Sequence, residues 1–313
     1  MAIPLVDLAD FLSDDLFKKN NFIEKLGAAY EDVGFVAVKN HGISSYLIED
    51  LYKYVQEFFS LPLEKKNGYE LPELAGQRGY TSFGKEHAKG SDAPDLKEFF
   101  QYGQTPRDSY TDDEYPPNVK VGEIPLFDET FIAAYRAFEK SGTSILQAIA
   151  IYLKLDEHYF DDYIFDGNSI LRAIHYPPIS SEPKSAIRAE QHEDINLITL
   201  LVGASADGLQ ILSRQNEWVA VTSLPDQIVV NVGDMLQRLT NNKLKSTTHR
   251  VVNPARSLWH TSRFSIPFFL HPKSAMSLQC LDMCIDEEHK KAYPDVTAGE
   301  YLDERLREIG LKK

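Results

Sequence analysis

His192 and Asp194 stand two residues apart in the run QHEDINLITLLV, at the mouth of an apolar strand. At strand spacing both side chains share one face while Glu193 points to the other. A histidine and a carboxylate that converge in this way can hold one cation. By itself the pair carries little weight, because nine histidines and 47 acids in 313 residues make roughly one His-x-acid pair an accident of composition, and its plain reading is a surface turn. His249 adds to it. It lies on the strand-like run STTHRVV with Thr248 and Arg250 facing oppositely, and it is a candidate third ligand. Two imidazoles and one carboxylate on adjacent strands make the facial triad that binds non-haem Fe(II) and leaves positions open for ligands and oxygen. Structural zinc usually closes its site with four protein ligands, often cysteines, and no obvious fourth is present.

A second chemical signal follows in SRFSIPFFL, where Arg263 and Ser265 share one face of an otherwise apolar segment. A buried guanidinium is costly unless an acid meets it. A ligand carboxylate can be that acceptor, since the planar fork of arginine grips it in bidentate fashion and the serine hydroxyl adds a hydrogen bond. An internal ion pair with one of the chain's many acids is the alternative.

These residues need a scaffold, and the composition allows one. With 43% hydrophobic and 26% charged residues the chain is of ordinary globular make-up. Its longest apolar runs, such as LITLLV at 197–202, fall short of the ~18 residues a membrane helix needs, so no membrane association is expected. The N-terminal run MAIPLVDLADFLSDD carries acids where a secretory signal carries Lys or Arg, so a cytoplasmic address is expected. Lys plus Arg number 33 against 47 Asp plus Glu, a balance of -14 that repels phosphate backbones and argues against nucleic acid as a partner. Cys280 and Cys284 are too few for a disulfide scaffold, lack CxxC spacing, and are expected to be reduced thiols.

The order of elements points to one compact unit covering residues 1–313. Helices are expected at 45–59 (Leu47, Leu51, Val55, Phe58, Phe59), at 131–153 (Ile132, Tyr135, Phe138, Ile145, Ile149) and at 298–309. From about residue 168 the pattern changes to short strands, SILRAIHY, NLITLLV, GLQIL, EWVAV, QIVVNV, STTHRVV and SRFSIPFFL, divided by turns at Arg214-Gln215-Asn216, Pro225-Asp226 and Asn241-Asn242. The fold class is therefore mainly β with flanking helices (α+β), built on a double-sheet jelly roll.

Several runs together resemble one family. IPLVDL, GFVAVKNHGI at 34–43, FFSLPLEKK at 58–66, RGYTSFGKE at 78–86 and DLKEFF at 95–100 are similar, in order, to the N-terminal region of the isopenicillin N synthase-like branch of the Fe(II)/2-oxoglutarate-dependent dioxygenases. HYPP at 175–178, HEDINLITLL, GLQIL, VNVGDMLQRLTNN, KSTTHRVVNP and RFSIPFF continue the resemblance over nearly the whole chain. It implies a distorted double-stranded β-helix core at 165–275, an N-terminal support region at 1–110 and a C-terminal helix at 296–313. It also implies iron ligation by His192, Asp194 and His249, and an Arg-x-Ser clamp of Arg263 and Ser265 on the cosubstrate, with Tyr176 beside it. Arg78, Tyr80 and Phe99 are the implied candidates for the outer substrate pocket. Two departures stand out: Ile174 replaces an asparagine common in plant members, and Glu193 replaces a small or neutral residue.

The resemblance implies an oxygenase that uses Fe(II), 2-oxoglutarate and O2. Such an enzyme hydroxylates, desaturates or cyclises a small organic molecule with release of succinate and carbon dioxide. An oxidase that does not consume 2-oxoglutarate, like isopenicillin N synthase or aminocyclopropane carboxylate oxidase, would carry the same Arg-x-Ser pair. A non-catalytic jelly-roll metal-binding or sensing module is the reading from another class. His41 is expected to be a turn residue, His175 to face away from Tyr176, and Asp234 to satisfy local amides. A monomer is the default.

Overall fold

The computed structural model describes residues 3–74, 76–86, 94–105, 115–183, 185–203, 207–222, 224 and 226–308. Pro225 of the expected Pro225-Asp226 turn and residues 309–313 of the expected C-terminal helix lie outside them. The first half contains β1 (Leu5–Asp7), α1 (Leu8–Phe11), α2 (Leu16–Asp32), β2 (Phe35–Lys39), α3 (Ser45–Phe59), α4 (Leu63–Asn67), β3 (Gly79–Thr81) and β4 (Glu98–Gly103), followed by α5 (Phe127–Tyr152) and α6 (Asp161–Ile164). The second half contains β5 (Ile170–Tyr176), β6 (Ala189–His192), β7 (Ile198–Val202), β8 (Leu209–Leu212), β9 (Trp218–Ala220), β10 (Gln227–Val232), α7 (Asp234–Leu239), β11 (His249–Val251), β12 (Arg263–Leu270) and α8 (Ala298–Glu308). Among the described residues no helix is long and apolar enough to cross a membrane.

The strands form two sheets, an eight-stranded one in the order β1-β2-β10-β7-β12-β5-β4-β3 and a four-stranded one in the order β6-β11-β8-β9. Strand alternation gives the large sheet two chemically different faces. Along β12, Ile266, Phe268 and Leu270 belong to the main core with the helices, as do Leu171 and Ala173 of β5. The intervening residues turn to the other face, where Arg263 lies opposite Tyr176 and Ser265 opposite Ile174. A separate cluster of Phe99, Ile174, Tyr176, Ala189 and Val251 lies on that inner side, with residues drawn from both sheets. This is the double-stranded β-helix arrangement, a helical layer on one face of a two-sheet roll.

The helical layer rests on α5. Phe127, Phe131, Phe138 and Ile145 are buried at helical spacing, and Gly142 lets the helix sit close, since a Cβ there would lie 2.5 Å from Leu270 Cδ1. Ile132, expected on this face, is 42% exposed, because the buried stripe runs through Phe131, one residue earlier. The helix at 45–59 has the expected bounds. The sequence pattern missed β6, whose residues AEQH carry no apolar run. Asn216 has the positive φ its turn requires, +59°, whereas Asn241 and Asn242 (φ +50° and +66°) end α7 and make no hairpin. Cys280 and Cys284 are buried free thiols.

One contact fixes the segment between β6 and β7. Asp234 N donates to Asp194 O (2.8 Å), Met235 N to Asn196 O (3.0 Å) and Gly233 N to Leu197 O (2.9 Å), so the turn is docked on the first amides of α7. A Cβ on Gly233 would lie 2.3 Å from Asn196 O, a backbone atom with nowhere to go. Gly233→Ala is therefore expected to lower unfolding free energy by about 1–3 kcal/mol, measured by urea denaturation; unchanged stability would show that this packing is not tight.

Candidate active site

His192 and His249 are direct cross-strand partners on β6 and β11, which puts their imidazoles on the same side with ring centroids 4.4 Å apart. Asp194 reaches them from the docked turn, not from a continuing strand as the spacing argument supposed, because β6 ends at His192. One ligand atom from each of the three residues lies within 4.8 Å of the others. His192 Nε2 and His249 Nε2 stand 3.9 Å and 3.7 Å from Asp194 Oδ1, too far for hydrogen bonds and near enough for one shared ion. Neighbouring groups aim each donor. His192 Nδ1 faces Glu190 O at 2.7 Å and His249 Nδ1 faces Thr247 O at 3.1 Å, so each ring donates its Nδ1–H outward and turns the Nε2 lone pair inward.

Asp194 is prepared in the same way. Thr199 Oγ1 (2.6 Å) and Asn231 Nδ2 (2.8 Å) both donate to Oδ2, which leaves Oδ1 to the histidines. Burial alone would raise its carboxyl, but the two imidazoles and these hydrogen bonds outweigh burial and hold it below the usual carboxylate range. Burial and the neighbouring His249 push His192 down to about 4, so its imidazole is neutral near pH 7 and free to ligate. Two imidazole nitrogens and one carboxylate oxygen suit a divalent first-row metal such as Fe(II).

Further along the same inner face lie Arg263 and Ser265, 1% and 4% exposed. The Arg263 guanidinium carbon sits 5.0 Å from the ring centre of Tyr176, its register partner. Gly208, at φ +133°, passes close by, and a Cβ there would be 4.0 Å from Arg263 Nε. Strand pairing thus sets Arg263 against Tyr176 and Ser265 against Ile174.

The substrate candidates divide. Phe99 joins the inner cluster with Ile174 and Tyr176. Tyr80 belongs to the main core, and its hydroxyl donates to Glu98, which also receives Lys66 and His175. Arg78 packs on Gly103 and donates to Pro116 O and Gln77 O. Both therefore serve the support layer outside the inner cluster, since Tyr80 pairs with Phe100 on the opposite face from Phe99.

In their place the inner wall carries Arg172, which no family motif marked. The Arg172 guanidinium lies 4.3 Å from the centre of the Phe99 ring and 5.3 Å from that of Phe269. Its Nε donates to Gln101 and its Nη1 to Glu86. Burial opposes ionisation of Glu86, but Lys97 at 2.6 Å and Arg172 overrule it and bring it down to about 2. Phe269 pairs with Thr199, the residue that holds Asp194, so this wall adjoins the triad.

Four other residues lie around the site, three of them as expected. Glu193 turns away and accepts from Thr248 Oγ1. His175 faces outward to Glu98 and stacks on Phe264 at 4.7 Å. His41 accepts from Ile43 N in a turn. Asp234 meets Tyr301 and Arg305 of the C-terminal helix through its carboxylate, where local amides were expected.

Comparison with known proteins agrees with this geometry. The family model for the 2OG-Fe(II) oxygenase superfamily matches residues 167–272, and that for the non-haem dioxygenase in morphine synthesis N-terminal region matches residues 3–122. A proline hydroxylase from Petromyces alliaceus is 33% identical, with 98% of this chain and 99% of that protein covered. A 2OG-Fe(II) oxygenase family protein from Caulobacter crescentus, solved by crystallography, superposes with a TM-score of 0.88 at 40% identity over 98% of this chain and 99% of its own. A full-length Neurospora crassa protein, solved in complex with alpha-KG and thymine, gives 0.85 at 30% identity, covering 97% of this chain and 96% of its own. The chain belongs to the 2OG-Fe(II) oxygenase superfamily and is an Fe(II)- and 2-oxoglutarate-dependent dioxygenase.

Proposed function

We propose that His192, Asp194 and His249 hold the iron, that Arg263 and Ser265 with Tyr176 receive the far carboxylate of 2-oxoglutarate, and that a small organic substrate sits against Phe99, Arg172 and Phe269. The isopenicillin N synthase-like branch is the part of the superfamily whose motifs the chain carries in order. The observation that carries the assignment is the convergence of three ligand atoms within 4.8 Å, with both histidine Nδ1 atoms turned to backbone carbonyls. Bound there, iron with 2-oxoglutarate and O2 supplies oxidative decarboxylation to succinate and carbon dioxide, coupled to oxidation of the substrate.

The chain's own contribution is placement and a dry setting. Asp194 is locked by Thr199 and Asn231 so that one oxygen is always presented. The apolar cluster of Phe99, Ile174, Tyr176, Ala189 and Val251 excludes water around the cosubstrate position. Arg172, braced by Gln101 and Glu86 between two aromatic rings, offers a polar edge to a substrate at the wall next to the triad. A relative named as a proline hydroxylase and a structural neighbour crystallised with thymine both point to compact polar rings as the first compounds to try. Screening cyclic amino acids and pyrimidine bases for substrate-dependent succinate release tests this; succinate equal to substrate consumed supports the reading, and substrate turnover without succinate would overturn it.

Two sets of variants test the residue roles. His249→Ala is expected to fold with an unchanged circular dichroism spectrum, to lose Fe(II) binding in equilibrium dialysis, and to form succinate only at the metal-free background; global unfolding would favour a purely structural metal. Asn231→Ala and Thr199→Val, which each remove one hydrogen bond from Asp194, are expected to weaken metal affinity by about 10–100-fold, and wild-type affinity in both would show that Asp194 needs no such bracing.

A further inference from the structure

Arg188 is 2% exposed and belongs to none of the motifs above. It sits just before β6, on the small sheet, yet its guanidinium carbon lies 5.9 Å from the centre of the Tyr176 ring on the large sheet. Arg263 approaches the same ring from its own strand. Two arginines from two sheets therefore meet at one tyrosine. The polar contact Arg188 makes is Nη2 to Thr261 O at 3.2 Å, while its Nε is buried with no hydrogen-bond partner. Among the described residues no carboxylate forms an ion pair with it. Burial and the like charge of Arg263 push its guanidinium down to about 10.

A buried cation beside a second cation, with no acid paired to it among the described residues, is a costly arrangement for a folded protein to carry. The cost is offset when an anion enters between them. Resting on the assignment of Arg263 and Ser265 to the far carboxylate of 2-oxoglutarate, we infer that Arg188 is a second arginine of that carboxylate pocket, closing it from the small sheet and selecting a dicarboxylic 2-oxo acid over a monocarboxylic one. Arg263 then supplies the grip from β12 and Arg188 the opposing charge, with the Tyr176 ring as the shared wall. Arg78 and Arg238 also leave one guanidinium nitrogen unmatched; what sets Arg188 apart is that it stands beside a second arginine, Arg263, at the Tyr176 ring.

The test compares 2-oxoglutarate with 2-oxobutyrate, which keeps the 2-oxo acid group and lacks the far carboxylate. Binding of each to the full-length, Mn(II)-loaded protein is measured by calorimetry under nitrogen, so that no turnover intervenes. For Arg188→Met, Kd for 2-oxoglutarate is expected to rise about tenfold or more, the size of one charge-assisted contact, while Kd for 2-oxobutyrate and for Mn(II) is unchanged. Arg188→Lys, which keeps the charge without the fork, is expected to fall between. The ligand-free Met variant is also expected to melt at or above the wild-type temperature, because an uncompensated charge has been removed, and to gain less on adding 2-oxoglutarate. Equal weakening for both oxo acids, an unchanged 2-oxoglutarate Kd, or a ligand-free melting temperature well below wild type in both variants would overturn the proposal. If the wild type itself fails to bind 2-oxoglutarate, it is the assignment of Arg263 and Ser265 that falls.

Discussion

A carboxylate buried between two imidazoles is tolerable only if its remaining lone pairs are taken up, and Asp194 meets that condition completely. Its carbonyl is held by Asp234 N, its Oδ2 by Thr199 and Asn231, and only Oδ1 faces the histidines. Those partners come from β7, from β10 and from the start of α7, which follows β10 directly, and the large sheet sets β10 beside β7. The sheet order is thus a requirement of this one side chain. If β10 did not lie beside β7, Asn231 could not reach the carboxylate, and rotation about its side-chain bonds would scatter the ligand atom. His271 adds to the same corner: its backbone N–H donates to Ser169 Oγ and its ring to Phe269 O at the end of β12.

The same sheet carries two incompatible environments on its two faces, and alternation alone separates them. Outward residues of β5, β7, β10 and β12 feed a core continuous with α2, α3 and α5. Inward residues include Arg172, Arg263, Ser265, Thr199 and Asn231, which would be unaffordable in that core. A one-residue slip of β12 against β5 would exchange Arg263 for Phe264 and destroy both faces together. This coupling explains why the N-terminal helices matter to a site built on the opposite face of the sheet. By covering the outer face they fix the register that presents the inner one.

How much of this is legible in the sequence follows from how local each signal is. The strands of the second half are legible because apolar runs and turn residues are local, and the pair Arg263 and Ser265 is legible because period-two spacing within one strand places both on one face. Convergence of His192 with His249 is legible only as a hypothesis, since cross-strand pairing is not written in either strand. What escapes are residues whose function depends on a neighbour from elsewhere. Asn231 looks like an interruption of an apolar strand, β6 has no apolar pattern, and Arg172 reads as one more surface charge until β4 and β12 bring Phe99 and Phe269 against it. Tyr80 and Arg78 illustrate the reverse error. Tyr80 lies near Phe99 across a strand pair, but strand parity, which a family resemblance does not specify, sends it to the other side, and Arg78, just before that strand, packs on Gly103.

The inner face also shows how stability and ligand binding trade against each other in one fold. Among its buried and half-buried ions, Lys97 and Arg172 are answered by Asp95 and Glu86, forming a closed set in the wall beside the triad. The end near Tyr176 has no such internal balance for Arg188 among the described residues. On the proposed assignment, positive charge is retained where a doubly charged acid is to be received, and neutralised in the wall beside the triad. A penalty of several kcal/mol per poorly compensated buried ion is small beside the burial of an apolar core of this size, of order 10² kcal/mol, so the fold can carry it. The large outer core, built with helices on the face of the sheet opposite the triad, is what makes such a charged interior possible.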